Sequence, residues 1–242
     1  MDFDNTIVLV TGASRGIGKA IVSEFLNRGA RVIGISTTEV ASDYVHKDKY
    51  THVVCDLSKK ILAEKILSQI PKEFQDVDVL VNNAGIKVDT EFESSLIKDW
   101  DKTLNTNLRS AYFLSQILTP KLAKSPNGRI INIASQSGVA HVSSSIEYGL
   151  SKSGMIYITK SLAKAVAKHG ITVNAVSPGR THSDMTGYDK DPEKLTRTLK
   201  KIPLHSINTP EEVAGVVLFL ASRSAHNITG QVIGIDGGEA NF

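Results

Sequence analysis

The sequence of 242 residues has a single cysteine, Cys55, so no disulfide can form within one chain. The absence of internal disulfides fits a reducing compartment, and we therefore expect a cytoplasmic protein. Cys55 lies in the apolar run HVVCDL, where a thiol buried in a strand is expected rather than a nucleophile. No spacing of Cys, His and acidic residues indicates a metal site, so none is expected.

Long apolar runs are also missing, because no stretch approaches the ~18 apolar residues of a membrane-spanning helix. The amino-terminal sequence MDFDNTIVLV is acidic and leads directly into a predicted strand, so it is not expected to be a signal peptide. The excess of one charge is small, since 28 basic and 25 acidic residues give a net charge of +3. We therefore expect neither nucleic acid nor a membrane as a partner.

Seven short apolar runs alternate with longer amphipathic stretches along the chain. The runs cover residues 6–10, 31–35, 52–55, 77–81, 129–134, 171–176 and 231–235. Several lack polar alternation, which is typical of strands that are covered on both faces. Helical spacing marks the stretches between them, with one helix ending near Pro120 and a late one beginning at Pro210. The pattern predicts an α/β fold, a doubly wound parallel seven-stranded sheet (Rossmann) with helices on both faces.

No repeat, low-complexity tract or linker divides the chain, so we expect a single domain over residues 1–242. A long polar segment at about 180–208 interrupts the alternation and contains Gly187, Pro192 and Pro203. Segments of this length often close over sites, and we interpret this one as a mobile lid. A solvated insertion without a role is the alternative.

The stretch TGASRGIG, residues 11–18, places three glycines between the first predicted strand and the helix that follows. Glycine allows the tight turn and the close approach of a pyrophosphate at this point. The unpaired N–H groups and the dipole of the following helix favour the same negative charge. In this strand–turn–helix context the glycines predict dinucleotide binding, and a P-loop is excluded because no Gly-Lys-Ser/Thr follows.

With these motifs the chain resembles the short-chain dehydrogenase/reductase family over essentially its whole length. TGASRGIG is similar to the cofactor turn of that family, and NNAG, residues 82–85, to the motif after its fourth strand. The family's order continues with TNL around Asn107, IAS ending at Ser135, YGLSK at 148–152 and SPGRTHSDM at 177–185. Within the family the chain looks most like the 3-oxoacyl-[acyl-carrier-protein] reductases, because it contains GITVNAVSPG and ITGQVIGIDGG.

The end of the second predicted strand indicates which dinucleotide is bound. An acidic residue there would bind the ribose 2′-hydroxyl and repel a 2′-phosphate, but Ser36, Thr37 and Thr38 carry no charge. Arg15 could pair with a 2′-phosphate, and in the resembling family a basic residue at this position goes with NADPH. We therefore favour NADPH (NADP), with NAD as the alternative, because a shifted register would bring Glu39 near the ribose.

The resemblance implies further cofactor contacts along the glycine turn, after the third and fourth strands, on the YGLSK helix and after the sixth strand. The expected set is Gly12, Ser14, Arg15, Gly16, Ile17, Gly18, Thr37, Asp56, Leu57, Asn83, Ala84, Gly85, Tyr148, Lys152, Pro178, Gly179, Thr181 and Ser183. Asp56 would contact the adenine, with a turn-forming carboxylate as the equal alternative.

Four residues are expected to be catalytic. Tyr148 and Lys152 are four residues apart and share a helix face, where an ammonium lowers the pKa of a neighbouring phenol. That spacing alone would also occur by chance. Ser135 follows the fifth predicted strand and could hydrogen-bond a substrate oxygen. The resemblance adds Asn107, which would hold a water between Lys152 and solvent; a satisfied core amide is the alternative.

The resemblance implies the NADPH-dependent reduction of a carbonyl to a hydroxyl, most simply of a 3-oxoacyl thioester in fatty acid synthesis. The substrate is either a small molecule or bound to a carrier protein. Such reductases often have arginines that bind the carrier protein at the positions that Pro126 and His169 occupy here. Whether this chain binds the acyl carrier protein is therefore left open. The alternatives are an alcohol, sugar or steroid dehydrogenase and a non-enzymatic dinucleotide sensor. A homotetramer or homodimer is implied as well.

Overall fold

The computed structural model describes residues 1–40, 47–59, 66–89, 91–140, 145–182, 187–188 and 191–241. The strands are β1 (Ile7–Thr11), β2 (Arg31–Ser36), β3 (Tyr50–Val54), β4 (Val79–Asn82), β5 (Arg129–Ile133), β6 (Thr172–Pro178) and β7 (Val232–Ile235). The α-helices of this part are α1 (Gly16–Leu26), α2 (Ile97–Leu104), α3 (Ser110–Leu122), α4 (Gln136–Val139), α5 (Ile146–Val166), α6 (Pro192–Leu199) and α7 (Pro210–Ala221). A π-helical turn, Asn105–Arg109, joins α2 to α3.

The seven strands form one parallel sheet in the order β3-β2-β1-β4-β5-β6-β7. The chain winds outwards from β1 in one direction and from β4 in the other, so the strand order reverses between these two strands. Ligands of such sheets bind beyond the carboxyl ends of the strands at that reversal. The predicted doubly wound α/β fold is confirmed, and each strand begins and ends within two residues of its prediction.

Helices cover both faces of the sheet, which explains why the strands are apolar without alternation. One face packs against α1 and α7 through residues such as Phe25 and Val217. The other face packs against α3 and α5 through residues such as Leu118. Successive residues of β1 point to opposite faces of the sheet. Val8 packs in the core under α1 and α7, and Leu9 packs in the core under α3 and α5. Among the described residues, none of the helices has the length and apolar character that crossing a bilayer requires.

One stretch agrees with its prediction and another differs from it. The long helix ends at Leu122, near Pro120 as predicted; a proline in the last turn removes only one backbone hydrogen bond there. The polar segment 180–208 is not a loop throughout, because α6 lies within it. Asp191 caps α6 by accepting a hydrogen bond from Lys194 N at 2.8 Å, and Pro192 fills its first turn. The lid function of the segment stays a prediction.

Two helical glycines differ in the space around them, and substituting both by alanine tests how tightly the glycine turn is packed. A Cβ on Gly18 would lie 2.1 Å from Gly12 O, whereas a Cβ on Gly215 in α7 would have no neighbour within 4 Å. We expect Gly18→Ala to lower the free energy of unfolding by about 1–3 kcal/mol through overpacking. Gly215→Ala should raise it by about 0.5–1 kcal/mol through helix propensity. Urea denaturation at one fixed protein concentration measures both, and equal effects would contradict the close approach of Gly12 to Gly18.

Candidate functional site

The glycine turn crosses the carboxyl end of β1 and is held from both sides. On the β2 side, Gly12 N donates to Ile35 O at 2.7 Å. On the β4 side, Asn83 Nδ2 donates to Thr11 O at 2.8 Å and to Gly12 O at 3.2 Å. The backbone N–H groups of Asn83 and Ala84 both donate to Thr11 Oγ1 at 2.9 Å. The Asn83 side chain therefore braces the turn, and its expected contact with a cofactor stays a prediction.

The turn leaves an open space where α1 begins. Gly16 has φ +52°, a left-handed conformation that favours glycine, and a Cβ there would have no atom within 4 Å. The first turn of the 11-residue helix α1 contains no acidic residue, so the positive end of its dipole is not compensated. Ser14 and Ile17 are half-buried beside the opening. An open backbone surface with unpaired N–H groups fits a pyrophosphate.

The residues expected at the adenosine end follow three neighbouring strands: Arg15 lies in the glycine turn after β1, Thr37 follows β2, and Asp56 follows β3. The side chains of Arg15 and Thr37 are exposed. Asp56 Oδ1 accepts hydrogen bonds from Ser58 Oγ at 2.7 Å and from Ser58 N at 3.0 Å. The bond from the Ser58 hydroxyl is the main reason that the pKa of Asp56 is lowered. Asp56 thus has the turn-forming role weighed as its alternative, and the neighbouring Leu57 is buried in the apolar core.

Tyr148, Lys152 and Ser135 meet at the carboxyl end of β5. Lys152 Nζ lies 5.7 Å from the centroid of the Tyr148 ring, on one face of α5. The Lys152 side chain is buried, and its Nζ donates to Ile133 O, at the end of β5, at 2.7 Å. Ser135 follows two residues later, is also buried, and forms a hydrogen bond with the phenol. Ser137, the other serine of this turn, donates its N–H to Ser135 Oγ at 3.2 Å.

Burial dominates the electrostatics of this group. It raises the pKa of the Tyr148 phenol, and the hydrogen bond with Ser135 opposes this only in part. Burial also lowers the pKa of Lys152 to about 8. The expectation that the ammonium lowers the phenol pKa is therefore wrong for the protein by itself, because desolvation of the phenolate outweighs every other influence.

Asn107 lies in the π-helical turn and is fully buried. Its Oδ1 accepts from Ile86 N at 2.8 Å, while its Nδ2 donates to Ile86 O at 2.9 Å and to Ser151 Oγ at 3.0 Å. These contacts are those of the satisfied core amide that was weighed as the alternative. A Cβ on Gly85 would nevertheless lie 3.4 Å from Lys152 Nζ and 3.7 Å from Asn107 Oδ1, so both groups border one space beside Gly85. The role of Asn107 in holding water stays a prediction.

The segment after β6 packs against the carboxyl-terminal segment. Pro178 ends β6, and a Cβ on Gly179 would lie 2.6 Å from Asp236 Cβ. Thr181 is buried, and its Oγ1 donates to Gly179 O at 3.2 Å. Ser183, the last expected cofactor residue, lies outside the described residues. The cofactor contacts expected in this segment stay predictions.

A polar cluster that the sequence analysis missed lies at the same edge. Arg180 Nη2 donates to Glu239 Oε1 at 3.2 Å, and Gln136 Nε2 donates to Glu239 Oε2 at 2.9 Å. Because Gln136 directly follows Ser135, Glu239 ties the Ser135 turn to the start of the 180–208 segment. Arg180 and Glu239 are 59 positions apart, and only the pairing of β6 with β7 brings them together, so no local pattern could have revealed the cluster.

The chain is similar to known proteins over nearly its whole length. The chain matches the family model described as enoyl-(acyl carrier protein) reductase over residues 12–239. The 3-oxoacyl-[acyl-carrier-protein] reductase of Vibrio cholerae is 40% identical over 242 residues, which cover 98% of each chain. The enzyme of that name from Thermotoga maritima is 38% identical over 245 residues, covering 98% of this chain and 99% of the relative. That of Escherichia coli is 38% identical over 242 residues, covering 98% of each.

Solved structures extend the similarity to the whole fold. The ligand-free aldohexose dehydrogenase of Thermoplasma acidophilum has a TM-score of 0.89 and 31% identity, covering 98% of this chain and 95% of its own. A proposed gluconate dehydrogenase of Agrobacterium tumefaciens has a TM-score of 0.90 and 26% identity, covering 100% of this chain and 98% of its own. The described sheet and its helices are therefore those of dehydrogenases.

The buried ammonium gives a pH-dependent stability difference. The pKa of Lys152 is about 8 in the folded protein against an ordinary 10.5, so between these values the unfolded chain binds more protons. The contribution of Lys152 to stability therefore rises with pH over that interval, and its cost, about 3 kcal/mol, is fully present below it. We expect Lys152→Met to be more stable than the wild type at pH 7, by about 2 kcal/mol after losing the bond to Ile133 O.

This advantage should shrink as the pH rises from about 8 to about 10.5, where the wild-type lysine becomes neutral in both states. Urea denaturation of both proteins across this range measures it. Lys160→Met, an exposed change on the same helix, is the control and should give a small, pH-independent difference. A constant difference between the wild type and Lys152→Met would contradict the burial of a charged lysine.

Proposed function

The chain belongs to the short-chain dehydrogenase/reductase family, and on that premise we propose that it reduces a 3-oxoacyl thioester to the 3-hydroxyacyl thioester with NADPH. It is an oxidoreductase of the NAD(P)-dependent kind. The observation that carries the proposal is the meeting of Ser135, Tyr148 and Lys152 at the carboxyl end of β5. Full-length relatives named 3-oxoacyl-[acyl-carrier-protein] reductases support the choice of substrate.

Each of the four proposed catalytic residues has its own role in protonating the ketone oxygen. A bound nicotinamide would supply the hydride. Ser135 and Tyr148 hold the oxygen, and Tyr148 transfers its phenolic proton to it as negative charge develops. Lys152, whose Nζ lies 5.7 Å from the centroid of the Tyr148 ring, stabilises the resulting phenolate in a buried place where water screens little. With a pKa of about 8, Lys152 also exchanges protons near neutrality, through water held by Asn107.

The adenosine end supports the choice of NADPH over NADH. The residue that follows β2 is Thr37, whose side chain is exposed and uncharged, and Arg15 is exposed at the start of α1. A 2′-phosphate bound there would contact the Arg15 guanidinium and the Thr37 hydroxyl. The position directly after β2 holds no carboxylate that would repel it. The remaining expected cofactor residues of the glycine turn, NNAG and the segment after β6 complete the proposed site.

We propose one domain in which segment 180–208 closes over the substrate. The two ends of the segment are joined: Asn208 N donates to Arg180 O at 2.8 Å, and His182 N donates to Asn208 O at 2.9 Å. Tyr188, within the segment, is buried. A segment that is anchored at both ends beside the catalytic edge can open and close as a unit.

We also propose a homodimer or homotetramer built on α3 and α5. Large apolar side chains remain exposed on these two helices: Tyr112, Phe113, Ile146, Leu150 and Tyr157. Exposed apolar patches of this kind mark interaction surfaces, and a second copy of the same helices would cover them.

A sugar dehydrogenase is the second candidate, because the aldohexose dehydrogenase of Thermoplasma acidophilum shares the fold at 31% identity. Substrate assays separate the candidates. The protein should oxidise NADPH with acetoacetyl-CoA and with acetoacetyl-acyl carrier protein. The value of kcat/KM should exceed that for any aldohexose with NAD or NADP by about 100-fold, a difference that pocket contacts can supply.

Crotonyl thioesters test the description of the matching family model. They should not be reduced, because they have no oxygen on C3 for Ser135 and Tyr148 to hold, and hydride addition to C3 would place the negative charge on the thioester oxygen two carbons away. Comparable rates with aldohexoses would overturn the thioester proposal. Tight binding of NADPH without turnover of any carbonyl would favour the dinucleotide sensor instead.

Tyr148→Phe tests the proton donor. Because only the phenolic oxygen is removed, we expect kcat to fall by about 10²–10⁴-fold, while the Kd of NADPH changes by less than about twofold. Turnover assays and fluorescence titration with NADPH measure the two effects. Tyr157→Phe is the matched control on the same helix: it removes the same hydroxyl but keeps the apolar ring of the proposed subunit surface, so it should leave both unchanged. Wild-type turnover in Tyr148→Phe would remove Tyr148 from the mechanism.

A further inference from the structure

A chain of hydrogen bonds lies under the turn that follows β2. The Tyr50 hydroxyl is 2.7 Å from His52 Nδ1. On the other side of the ring, His52 Nε2 is 3.0 Å from Ser36 Oγ and 3.1 Å from Thr38 O. Ser36 Oγ in turn donates to Thr38 O at 2.7 Å. Neither Tyr50 nor His52 has a role in the site proposed above.

The register of β2 and β3 creates this chain. Gly34 is the partner of His52, and alternate residues of a strand share a face, so Tyr50, His52 and Ser36 lie on one face of the sheet. A Cβ on Gly34 would lie 2.2 Å from the Tyr50 hydroxyl and 3.0 Å from His52 Nδ1. The missing side chain at Gly34 therefore makes the space in which phenol and imidazole meet.

One arrangement of protons satisfies every group in the chain. Ser36 has a single hydroxyl proton and gives it to Thr38 O, so its oxygen can only accept from His52 Nε2. The ring proton therefore sits on Nε2, and Nδ1 accepts from the Tyr50 phenol. Burial lowers the pKa of His52, against the opposing effects of the Thr38 carbonyl and Glu39, which suits this neutral ring. The one Nε2 proton is shared between Ser36 Oγ and Thr38 O, so the Thr38 carbonyl is held by the Ser36 hydroxyl and by the bifurcated ring N–H.

This fixed turn borders the proposed 2′-phosphate site. Thr37 lies between the two held residues, Ser36 and Thr38, and its side chain is exposed. The residue before Ser36, Ile35, accepts from Gly12 N at 2.7 Å, which ties β2 to the glycine turn that carries Arg15. The turn after β2 and the glycine turn therefore form one connected surface.

Resting on the proposed use of NADPH, we infer that Tyr50 and His52 are positioning residues for recognition of the 2′-phosphate. They hold the turn in the conformation in which Thr37 and Arg15 bind the phosphate together. A preformed turn spares the ligand the entropy of ordering it. Release of the turn would also free Glu39, the next residue, to approach and repel a phosphate. NADH has no phosphate at this place and depends on the pair less.

Two nucleotide fragments test the inference without any turnover. Adenosine 2′,5′-bisphosphate carries the 2′-phosphate, and AMP lacks it. In calorimetric titrations we expect His52→Leu, which removes the ring's hydrogen bonds to Tyr50, Ser36 and Thr38, to weaken binding of the bisphosphate about tenfold and that of AMP less than about twofold. His52→Gln, which keeps a donor and an acceptor, should restore most of the affinity, and Tyr50→Phe should lie between the two. At saturating NADPH, kcat should stay within about twofold of the wild type, because the catalytic group is untouched.

Thr51→Val is the matched control, since Thr51 lies between Tyr50 and His52 on β3 and points to the opposite face. It should change neither affinity. Arg15→Ala is the reference for loss of the phosphate contact and should weaken the bisphosphate selectively.

The outcomes separate the two proposals. Equal affinity of the wild type for the two fragments would overturn the use of NADPH, whatever His52 does. A wild-type preference for the bisphosphate that His52→Leu retains would overturn the positioning role and leave the NADPH proposal standing. Equal weakening of both fragments in His52→Leu, together with a lower melting temperature, would reduce the pair to a structural role and also overturn the inference.

Discussion

Burial of the Lys152 ammonium is the constraint on which the proposed chemistry depends. The charge is held by one carbonyl, Ile133 O, at 2.7 Å, and it loses most of its hydration. Close packing makes that burial possible: a Cβ on Gly138 would lie 2.6 Å from the backbone of Lys152, so α4 is pressed against α5. The same exclusion of water strengthens the attraction between the ammonium and a phenolate at Tyr148, whose ring centroid lies 5.7 Å from Lys152 Nζ. The buried ammonium of Lys152 therefore destabilises the fold at a residue that the proposed chemistry requires.

A second constraint acts along the carboxyl edge of the sheet, where each turn is braced by a neighbour. Asn83 holds the glycine turn from β4, and Ile35 holds it from β2. Glu239 holds the Ser135 turn and the segment after β6. Backbone groups at the ends of parallel strands lack a strand partner; here the Asn83 side chain binds the carbonyls of Thr11 and Gly12, and the Ile35 carbonyl binds Gly12 N. The adenosine end, the glycine turn and the catalytic group are thereby fixed relative to one another.

Local patterns were enough to predict the sheet, because buried parallel strands are continuous apolar runs and need no distant partner to be recognised. The site motifs were predictable for a related reason: TGASRGIG and YGLSK keep their functional residues within a few positions of one another. The motif TNL marked Asn107 itself, but no local pattern indicated the π-helical conformation of its backbone. Pro120 indicated the end of α3 to within two residues, because a proline is tolerated in the last turn of a helix but not in its interior.

The sequence by itself determined the order of strands and helices, the place of the glycine turn and the i, i+4 pairing of Tyr148 with Lys152, since each depends on neighbours along the chain. Only the tertiary structure decided the electrostatics and the long-range polar contacts. Burial raises the pKa of Tyr148 where the spacing alone suggested the opposite, because desolvation depends on everything packed around a group. The Arg180–Glu239 contact and the Tyr50–His52–Ser36 chain likewise exist only because particular strands lie side by side.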